Sequence, residues 1–341
     1  MILLTLLVSC IGKSTTDNGD ISGDVTDSAF SYFDTSSEDT DYFPTIDTGS
    51  SMLDSDEPDT GNGGPVFDQG RTGERSDITY VASGNVNTCA LTVAGEAVCW
   101  GTDNWGESSP PPIQFVEVDL GPDYVGCGVS TKQEIACWGL TGYLSKVPSG
   151  SGYSSISVES NYACTLDRVG ALLCWGDTSG EHEDYGQVSE APNGESFVQV
   201  SAGEGHACAL KDDGSVVCWG NNITGPITPP DEQFVQISSG SYHACGLTVE
   251  DTVVCWGEDG NGQANPPADF FVQVEAGELH TCGITTDAEI RCWGIARGTN
   301  TDETDGAYLQ VSAGGLHTCA VKETGVVQCW GNNTYGQSSP P

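Results

Sequence analysis

Short apolar stretches of five to seven residues, separated by polar and glycine-rich turns, recur along the chain from Asp77 onward. In one copy they read FVQVSAG (197–203), HACAL (206–210) and SVVCWG (215–220), and a polar stretch containing Pro-Pro follows. Apolar runs of this length, bounded by turn residues, predict β-strands. Each copy therefore predicts three strands, and the polar stretch leaves room for a fourth strand at the sheet edge.

Every copy contains two cysteines ten residues apart, and the second is followed by Trp-Gly. These positions use fourteen of the fifteen cysteines and seven of the eight tryptophans. Four of the six steps between copies are 37 residues, and the others are 38 and 44. The pairs are Cys89 with Cys99, Cys127 with Cys137, Cys164 with Cys174, Cys208 with Cys218, Cys245 with Cys255, Cys282 with Cys292, and Cys319 with Cys329. The chain from 77 to 341 is therefore a sevenfold repeat.

The turn between the second and third strands is short. In the copy above it is Asp212-Asp213-Gly214, and a three-residue hairpin loop needs a left-handed last residue, which glycine supplies. The other copies have Gly95, Gln133, Gly170, Asp251, Ala288 and Gly325 at this position. Asp251 tolerates that conformation, whereas Gln133 and Ala288 fit it badly. We therefore expect the turns at Gln133 and Ala288 to differ from the rest.

The hairpin register brings the two cysteines of a copy together. With Lys211 opposite Ser215, Cys208 lies directly opposite Cys218, within reach of a disulfide. Zinc is the alternative, but structural zinc prefers closely spaced C-x2-C pairs, and one hairpin offers only two thiolates. Seven disulfides are therefore predicted, and they indicate an oxidising compartment.

The third strand, VVCWG, is apolar on both faces, as expected for a strand covered on both sides. Seven such sheets can cover one another around a ring, and about 37 residues suits one blade of a propeller. The sequence thus predicts an all-β, seven-bladed β-propeller in which each repeated Trp packs against the neighbouring blade. An open solenoid is the alternative, but its ends would need atypical capping copies.

The repeats resemble those of the regulator of chromosome condensation family. VSAGEGHACALKDDGSVVCWGNN and VSAGGLHTCAVKETGVVQCWGNNTYGQSSP follow its pattern V-S-A-G-x-x-H-T-x-A-L, a glycine turn, V-x-x-W-G and N-x-x-G-Q. The resemblance covers residues 77–341 and implies a seven-bladed propeller whose two chain ends often share a blade. The second and sixth copies lack N-x-x-G-Q, so we expect those blades to diverge locally. The cysteine pair in every copy looks like the version in exported bacterial proteins.

The N-terminal region predicts export and a spacer. MILLTLLVSC resembles the end of a bacterial lipoprotein signal, with Leu7-Val8-Ser9-Cys10 as the lipobox, which implies a lipid on Cys10 as the membrane attachment. No Lys or Arg precedes its apolar run, unlike most signal peptides. Residues 11–76 are rich in Asp, Ser, Thr and Gly, with 15 acids against 3 bases, and they predict a disordered linker. The predicted location is the bacterial cell envelope, outside the cytoplasm, or the medium.

Charge narrows the range of partners. Asp and Glu outnumber Lys and Arg by 49 to 10, a net charge of −39, so nucleic acid and anionic lipid surfaces are excluded as partners. The expected partner is a protein or glycan, with cationic character, that binds to a monomer. No cofactor or metal is expected. His206, His243, His280 and His317 occupy one repeat position, and we expect them to be structural and to bond to the backbone.

Two places are candidates for a binding surface. The third copy has extra length between strands, from 176 to 196, and this loop contains His182, Glu183, Asp184 and Tyr185. The cluster suggests either acid–base chemistry or an enlarged solvated loop, and loops carry function more often than the scaffold does. Trp105 is the one tryptophan outside the repeat position, and an exposed aromatic is a possible binding anchor.

The sequence favours a binding protein over an enzyme. It contains no G-x-S-x-G, P-loop or H-E-x-x-H motif. We expect a non-enzymatic scaffold that displays loops to its partner, with enzyme inhibition as one form of this, since some exported relatives block β-lactamases. Two alternatives stay open. One is guanine-nucleotide exchange, which the resemblance implies, and the other is a carboxylate-dependent hydrolase or lyase on one propeller face.

Overall fold

A computed structural model describes residues 67–73, 75–122, 124–144, 146–177, 184–222, 228–295 and 306–341. These residues form 22 β-strands and one short 3-10 helix, Thr141–Tyr143, arranged as seven antiparallel sheets. The described segments contain no helix that is both long and apolar enough to cross a bilayer. The predicted all-β fold with seven blades is confirmed.

Each blade contains three strands that follow one another in the chain and lie side by side in the same order. Blade 1 has β2 Ile78–Ser83, β3 Asn87–Thr92 and β4 Ala97–Gly101; blade 2 has β5 Phe115–Leu120, β6 Val125–Ser130 and β7 Ile135–Gly139; blade 3 has β8 Tyr153–Val158, β9 Tyr162–Asp167 and β10 Leu172–Gly176; blade 4 has β11 Gln199–Gly203, β12 His206–Leu210 and β13 Val216–Gly220; blade 5 has β14 Phe234–Ser239, β15 His243–Thr248 and β16 Val253–Gly257; blade 6 has β17 Phe271–Ala276, β18 His280–Thr285 and β19 Ile290–Gly294; blade 7 has β20 Tyr308–Ala313, β21 His317–Lys322 and β22 Val327–Asn332.

Blade 7 is completed by a strand from the other end of the chain. Strand β1, Phe67–Thr72, pairs antiparallel with β22, so the two chain ends share this blade as the family resemblance implied. Within the described residues, it is the one blade with a fourth strand. Strand β1 lies inside the 11–76 segment expected to be a disordered linker, so the ordered propeller begins at Phe67 rather than at Asp77. Cys10 and the rest of the predicted signal and linker lie outside the described residues.

The second and third strands of every blade pair in the predicted register, which places the two cysteines of each copy opposite each other. All seven pairs form disulfides, with Cα–Cα distances of 3.9–4.1 Å. In chain order, the bonds join Cys89 to Cys99, Cys127 to Cys137, Cys164 to Cys174, Cys208 to Cys218, Cys245 to Cys255, Cys282 to Cys292, and Cys319 to Cys329. The described cysteines are therefore linked within hairpins, and the zinc alternative is wrong.

The two cysteines of a disulfide differ in their surroundings. The first cysteine of every pair, on the middle strand of its blade, is fully buried. The second lies on the third strand and is only partly buried in six blades, at Cys99, Cys137, Cys174, Cys218, Cys255 and Cys292. Cys329 is the exception and is fully buried, because β1 covers the outer edge of its strand. The extra strand from the other chain end thus shields the outermost sulfur of blade 7.

The turns at Gln133 and Ala288 follow the same geometry as the glycine turns, so the expectation that they differ is wrong. Both residues are left-handed, with φ of 66° and 61°. The Gln133 carbonyl accepts the Tyr153 N–H, and the Ala288 carbonyl accepts the Tyr308 N–H, each from the first strand of the next blade. The left-handed conformation costs a non-glycine residue about 1–2 kcal/mol. This bond between blades holds the turn in that conformation despite the cost.

The blades close into a ring through seven apolar clusters, one at each junction. Each cluster joins the disulfide of one blade to the tryptophan of the next. At the junction of blades 4 and 5, Cys208 and Leu210 pack with Phe234 and Trp256. At the closing junction, Cys319 of blade 7 packs with Trp100 and Ile78 of blade 1, and the corresponding strands β20, β21 and β2 are in contact. The prediction that each Trp packs against the neighbouring blade is confirmed.

We expect the disulfides to stabilise the ring one hairpin at a time. Replacing Cys208 and Cys218 together with alanine should lower the free energy of unfolding by about 3 kcal/mol, from the entropy of an eleven-residue loop, and leave the fold intact because six staples remain. Thermal denaturation followed by near-ultraviolet circular dichroism measures both effects. Loss of all tertiary signal at room temperature in this variant would contradict the expectation.

Candidate binding site: the central channel and the loop face

The first strand of every blade lines a central channel. The cavity has a volume of about 180 Å³ and is lined mostly by polar side chains and backbone. All seven first strands contribute side chains, namely Tyr80, Glu117, Asp119, Ser157, Gln199, Ser201, Ser238, Glu275 and Ser312. An edge strand presents unpaired backbone N–H and C=O groups. The channel side chains supply partners for these groups.

At four of the seven junctions, one glutamine of a first strand makes two hydrogen bonds to the backbone of the next first strand. In blade 5, Gln236 Oε1 accepts the Val274 N–H at 3.0 Å, and Gln236 Nε2 donates to the Val274 carbonyl at 3.0 Å. The same two-bond clamp joins Gln199 to Ile237, Gln273 to Val311, and Gln310 to Val81. A primary amide does this because it carries both a donor and an acceptor.

A second row of side chains makes one further bond to a backbone N–H at each of five junctions. Ser201 Oγ accepts the Ser239 N–H at 2.8 Å, and Ser157, Ser238 and Ser312 accept the corresponding N–H groups of their neighbours. Asp119 occupies the serine position in blade 2, and its Oδ2 accepts the Val158 N–H at 2.8 Å. Asp119 thus replaces a neutral acceptor by a charged one.

Five acidic residues line the channel. Glu117, Asp119 and Glu275 lie on first strands, and Glu159 and Glu278 follow first strands at the channel mouth. Burial, together with the nearby Asp119 charge, raises the pKa of Glu117 to about 8. Burial likewise raises the pKa of Asp119 to about 6 and that of Glu275 to about 7. No Lys or Arg lines the cavity among the described residues. The channel is therefore an acidic interior with no cation to balance it.

The repeated histidines have a structural role. Three of them bond to a threonine side chain, and His206 and His280 also interact with the backbone as expected, at Glu204 and Gly315. His243 Nε2 lies 2.8 Å from Thr281 Oγ1, and that hydroxyl donates to the Gln263 carbonyl at 2.9 Å. The ring nitrogen is therefore the donor to the threonine. His280–Thr318 and His317–Thr88 make the same bond across their junctions.

Burial lowers the pKa of all four repeat histidines, to about 3 or 4, so that they are neutral at pH 7. His206 differs from the other three because the next blade has Ala244 in place of the threonine whose hydroxyl accepts the ring N–H. Both ring nitrogens of His206 are buried without a side-chain partner. Among the described residues, no three His, Cys, Asp or Glu side chains are grouped so that they could hold a metal ion.

The two sides of the ring carry different loops. We call the side with the turns between first and second strands, and the loops that leave the third strands, the loop face. The opposite side, with the turns between second and third strands, is the hairpin face. Four cations lie in or beside the turns of the hairpin face, namely Lys132, Arg168, Lys211 and Lys322. On the loop face, Tyr242 is bordered by Glu204, Glu258 and Glu278. The pKa of Tyr242 is raised, mainly because the hydroxyl is partly buried and also because it bonds to Glu204.

Three loops of the loop face present an aromatic residue at one repeat-equivalent position, immediately before a glycine. Trp105, Tyr185 and Tyr335 are 61%, 51% and 54% exposed. Each loop is held by a tryptophan of the next blade. Trp138 Nε1 donates to the Glu107 carbonyl, Trp219 Nε1 to the Gln187 carbonyl, and Trp100 Nε1 to the Gln337 carbonyl, at 2.8–3.1 Å. The repeat tryptophans therefore also fix the loops that display the exposed aromatics.

The structure sorts the candidate binding residues into three groups. Trp105 and Tyr185 are exposed on the loop face at equivalent positions. Asp184 is a turn residue, since its carboxylate accepts the N–H groups of Gly186, Val188 and Ser189. Its pKa is lowered because these bonds and the Ser189 hydroxyl outweigh burial. His182 and Glu183 lie outside the described residues.

Sequence reasoning missed Tyr335 and the channel carboxyls. Aligning the copies on the loop glycine, Gly106, Gly186 and Gly336, places Tyr335 beside Trp105 and Tyr185, so that signal was present. The channel residues share the third and fifth positions of the first strand, where Gln and Ser recur. Glu117 and Asp119 stand out as departures from that pattern, and they become a site only once the first strand is known to face the channel.

The geometry defines a disulfide-stapled, seven-bladed propeller with an acidic channel and an aromatic loop face. The family model for the regulator of chromosome condensation (RCC1) repeat matches residues 197–225, 234–263, 271–299 and 309–337. Blades 4 to 7 therefore each contain an RCC1-type repeat, within a chain that folds as a seven-bladed propeller. No curated protein sequence matches it.

Solved structures with a similar fold include two plant receptor ectodomains. The ectodomain of the Physcomitrella patens receptor kinase CR4 aligns with a TM-score of 0.61 at 25% identity, over 75% of this chain and 74% of the other. The CRINKLY WD40 ectodomain of the Arabidopsis thaliana receptor kinase ACR4 aligns with a TM-score of 0.61 at 26% identity, over 77% and 96%. Prp20p from Saccharomyces cerevisiae aligns at 0.59 and 17% identity, over 75% and 82%, which shows the fold.

We expect that a threonine at position 244 will give His206 the partner its three counterparts have. Ala244→Thr should raise the free energy of unfolding by about 1 kcal/mol, the net value of one buried hydrogen bond, measured by denaturant titration. The matched control is Ala207→Thr, at the equivalent position of blade 4, because Tyr162 rather than a histidine stands across that junction. Equal effects of the two substitutions would contradict a histidine–threonine bond.

Proposed function

We propose that the protein is a non-enzymatic extracellular scaffold whose loop face binds a cationic protein. The observation that carries the proposal is the combination on that face of three exposed aromatic residues with Glu204, Glu258 and Glu278, the carboxylates that border Tyr242. The seven disulfides support an oxidising compartment. The likeness to two receptor ectodomains supports an extracellular location.

The mechanism we propose is display on a rigid ring. Stapled hairpins and held loops keep the aromatic residues in fixed positions, so little conformational entropy is lost on binding. Exposed aromatics act as anchors and attract Lys or Arg through their ring faces. The negative potential of the chain steers a cationic partner toward the face and speeds association. Inhibition of an enzyme with a basic surface is one outcome of such binding.

Attachment completes the proposal. A lipid on Cys10 and the acidic segment that follows it would tether the propeller to a bacterial cell envelope and hold it away from an anionic lipid surface. Like charges extend such a segment. The tether limits the partners to those outside the cytoplasm, which include secreted and surface proteins.

One observation favours a second candidate, the carboxylate-dependent hydrolase or lyase. The pKa values of Glu117 and Asp119 are raised to different extents. Such enzymes use one carboxyl group as the general acid and a second as the general base, and different pKa values separate these two roles. The cavity of about 180 Å³ is small compared with usual ligand pockets. We therefore favour the binding function. Nucleotide exchange remains an alternative that the described residues do not specifically favour.

The binding proposal is tested with the full-length oxidised protein and two peptides of equal length, one lysine-rich and one glutamate-rich. Replacing Trp105, Tyr185 and Tyr335 with alanine should weaken binding of the lysine-rich peptide about tenfold, a loss of about 1.4 kcal/mol. Binding should also weaken as salt screens the charges. Isothermal titration calorimetry measures both effects.

The control replaces three exposed valines in the hairpin turns, Val93, Val169 and Val249, with alanine. It removes a similar number of exposed apolar residues from the opposite face and should leave affinity unchanged. Equal weakening by both triple variants, or equal affinity for the two peptides, would contradict the loop face as a cation-binding surface. Selective binding to neutral glycans on an array would agree with a binding scaffold but would contradict the proposal that its partner is a cationic protein.

A further inference from the structure

The junction between blades 2 and 3 differs from four others in the chemistry of its inner clamp. At those four junctions a glutamine makes the two bonds to the backbone of the next first strand. Glu117 occupies the glutamine position in blade 2, and the Ile156 N–H lies close enough to its carboxyl group to act on its pKa. Ile156 is the residue of β8 that corresponds to Val274 of β17. A carboxyl group therefore faces the backbone donor that a glutamine oxygen binds at the other four junctions.

The donor half depends on a proton. The glutamine amide donates its second bond through Nε2, and a carboxylate has no hydrogen to donate. An ionised Glu117 would instead turn an oxygen toward the Ile156 carbonyl, where two acceptors repel. A protonated carboxyl has one acceptor and one O–H donor, and so has the hydrogen-bonding capacity of the amide.

The groups around Glu117 favour the neutral form. Asp119 shares its strand, Tyr80 faces it from the preceding blade, and Glu275 faces the same channel. The next first strand offers hydroxyls, and Glu159 follows that strand at the mouth of the channel. The described lining contains acids and neutral groups, without a Lys or Arg to hold a carboxylate. Desolvation and like charge therefore act in the same direction.

We propose that Glu117 closes the junction between blades 2 and 3 as a neutral carboxylic acid, so that loss of its proton loosens this one junction of the ring. The proposal does not depend on the proposed function. Its effect is local, because the other clamps are amides that do not titrate. The contact of Glu117 with β8 opens, while the Val158–Asp119 bond and the apolar cluster behind it keep the blades together.

The direction of the pH dependence follows from the raised pKa. The folded state keeps the Glu117 proton up to about pH 8, whereas the unfolded chain releases it near its ordinary value of about 4.5. The stabilisation is thus complete below the ordinary value and is lost as pH rises toward about 8. Asp119 and Glu275, whose pKa values are also raised, add to the same trend at lower pH.

The test is Glu117→Gln, which installs the residue found at the other four junctions. Relative to the native protein, this variant should lose several degrees less in melting temperature between about pH 6 and about pH 9. Amide hydrogen exchange at β8 should rise with pH faster than the chemical rate in the native protein, and only as fast as the chemical rate in the variant. The control is Glu134→Gln, an exposed glutamate in the hairpin turn of the same blade, which should keep the native pH profile.

Carbon-13 labelling of glutamate carboxyls supplies a readout on the native protein. One glutamate resonance should titrate near pH 8 and disappear in Glu117→Gln. An unchanged melting profile in that variant, or native glutamates that all titrate near their ordinary value, would overturn the proposal. Failure of Glu117→Gln to fold would also overturn it, because a glutamine at this position should complete the clamp.

Discussion

The structure depends on the packing of each repeat tryptophan against the disulfide of the preceding blade. A sheet of three short strands cannot bury both of its faces alone, and the indole with the adjacent disulfide fills the space between two such sheets. Because this contact recurs at all seven junctions, the ring closes without special end pieces. Three of these indoles, those of Trp100, Trp138 and Trp219, also donate hydrogen bonds to loop carbonyls of the previous blade. The core contact therefore also determines which residues the loop face displays.

Much of this architecture follows from sequence spacing, and the exceptions have tertiary causes. The ten-residue interval gives the hairpin register, because opposed positions in a short hairpin are fixed by its loop. Local preference failed at Gln133 and Ala288, since a bond from the next blade holds both residues left-handed. Local sequence also could not reveal that the histidines bond to threonines, which lie 38 residues away or, at the closing junction, at the other end of the propeller. Contacts between repeats decide these details.

The candidate site was only partly accessible from the sequence, for a related reason. Trp105 and Tyr185 were recognised because they fall outside the repeat pattern or within a longer loop. The channel was not recognised, because alternation along a strand shows which residues share a face but not which edge of the sheet meets the ring axis. Once β2, β5 and their counterparts are known to be innermost, the recurring Gln and Ser become a ladder of clamps. Glu117 and Asp119 then become departures in that ladder.

The charge of the chain makes these departures informative. With 49 acids and 10 bases, carboxylates are expected on the surface, where water and salt screen their repulsion. Placing acids in a narrow channel whose described lining contains no Lys or Arg imposes desolvation and repulsion, and protonation relieves both. Glutamine would serve the clamp at every pH, as it does in four blades. A glutamate in the same position therefore makes one junction of an otherwise covalently stapled ring responsive to its surroundings, while the disulfides keep each blade intact.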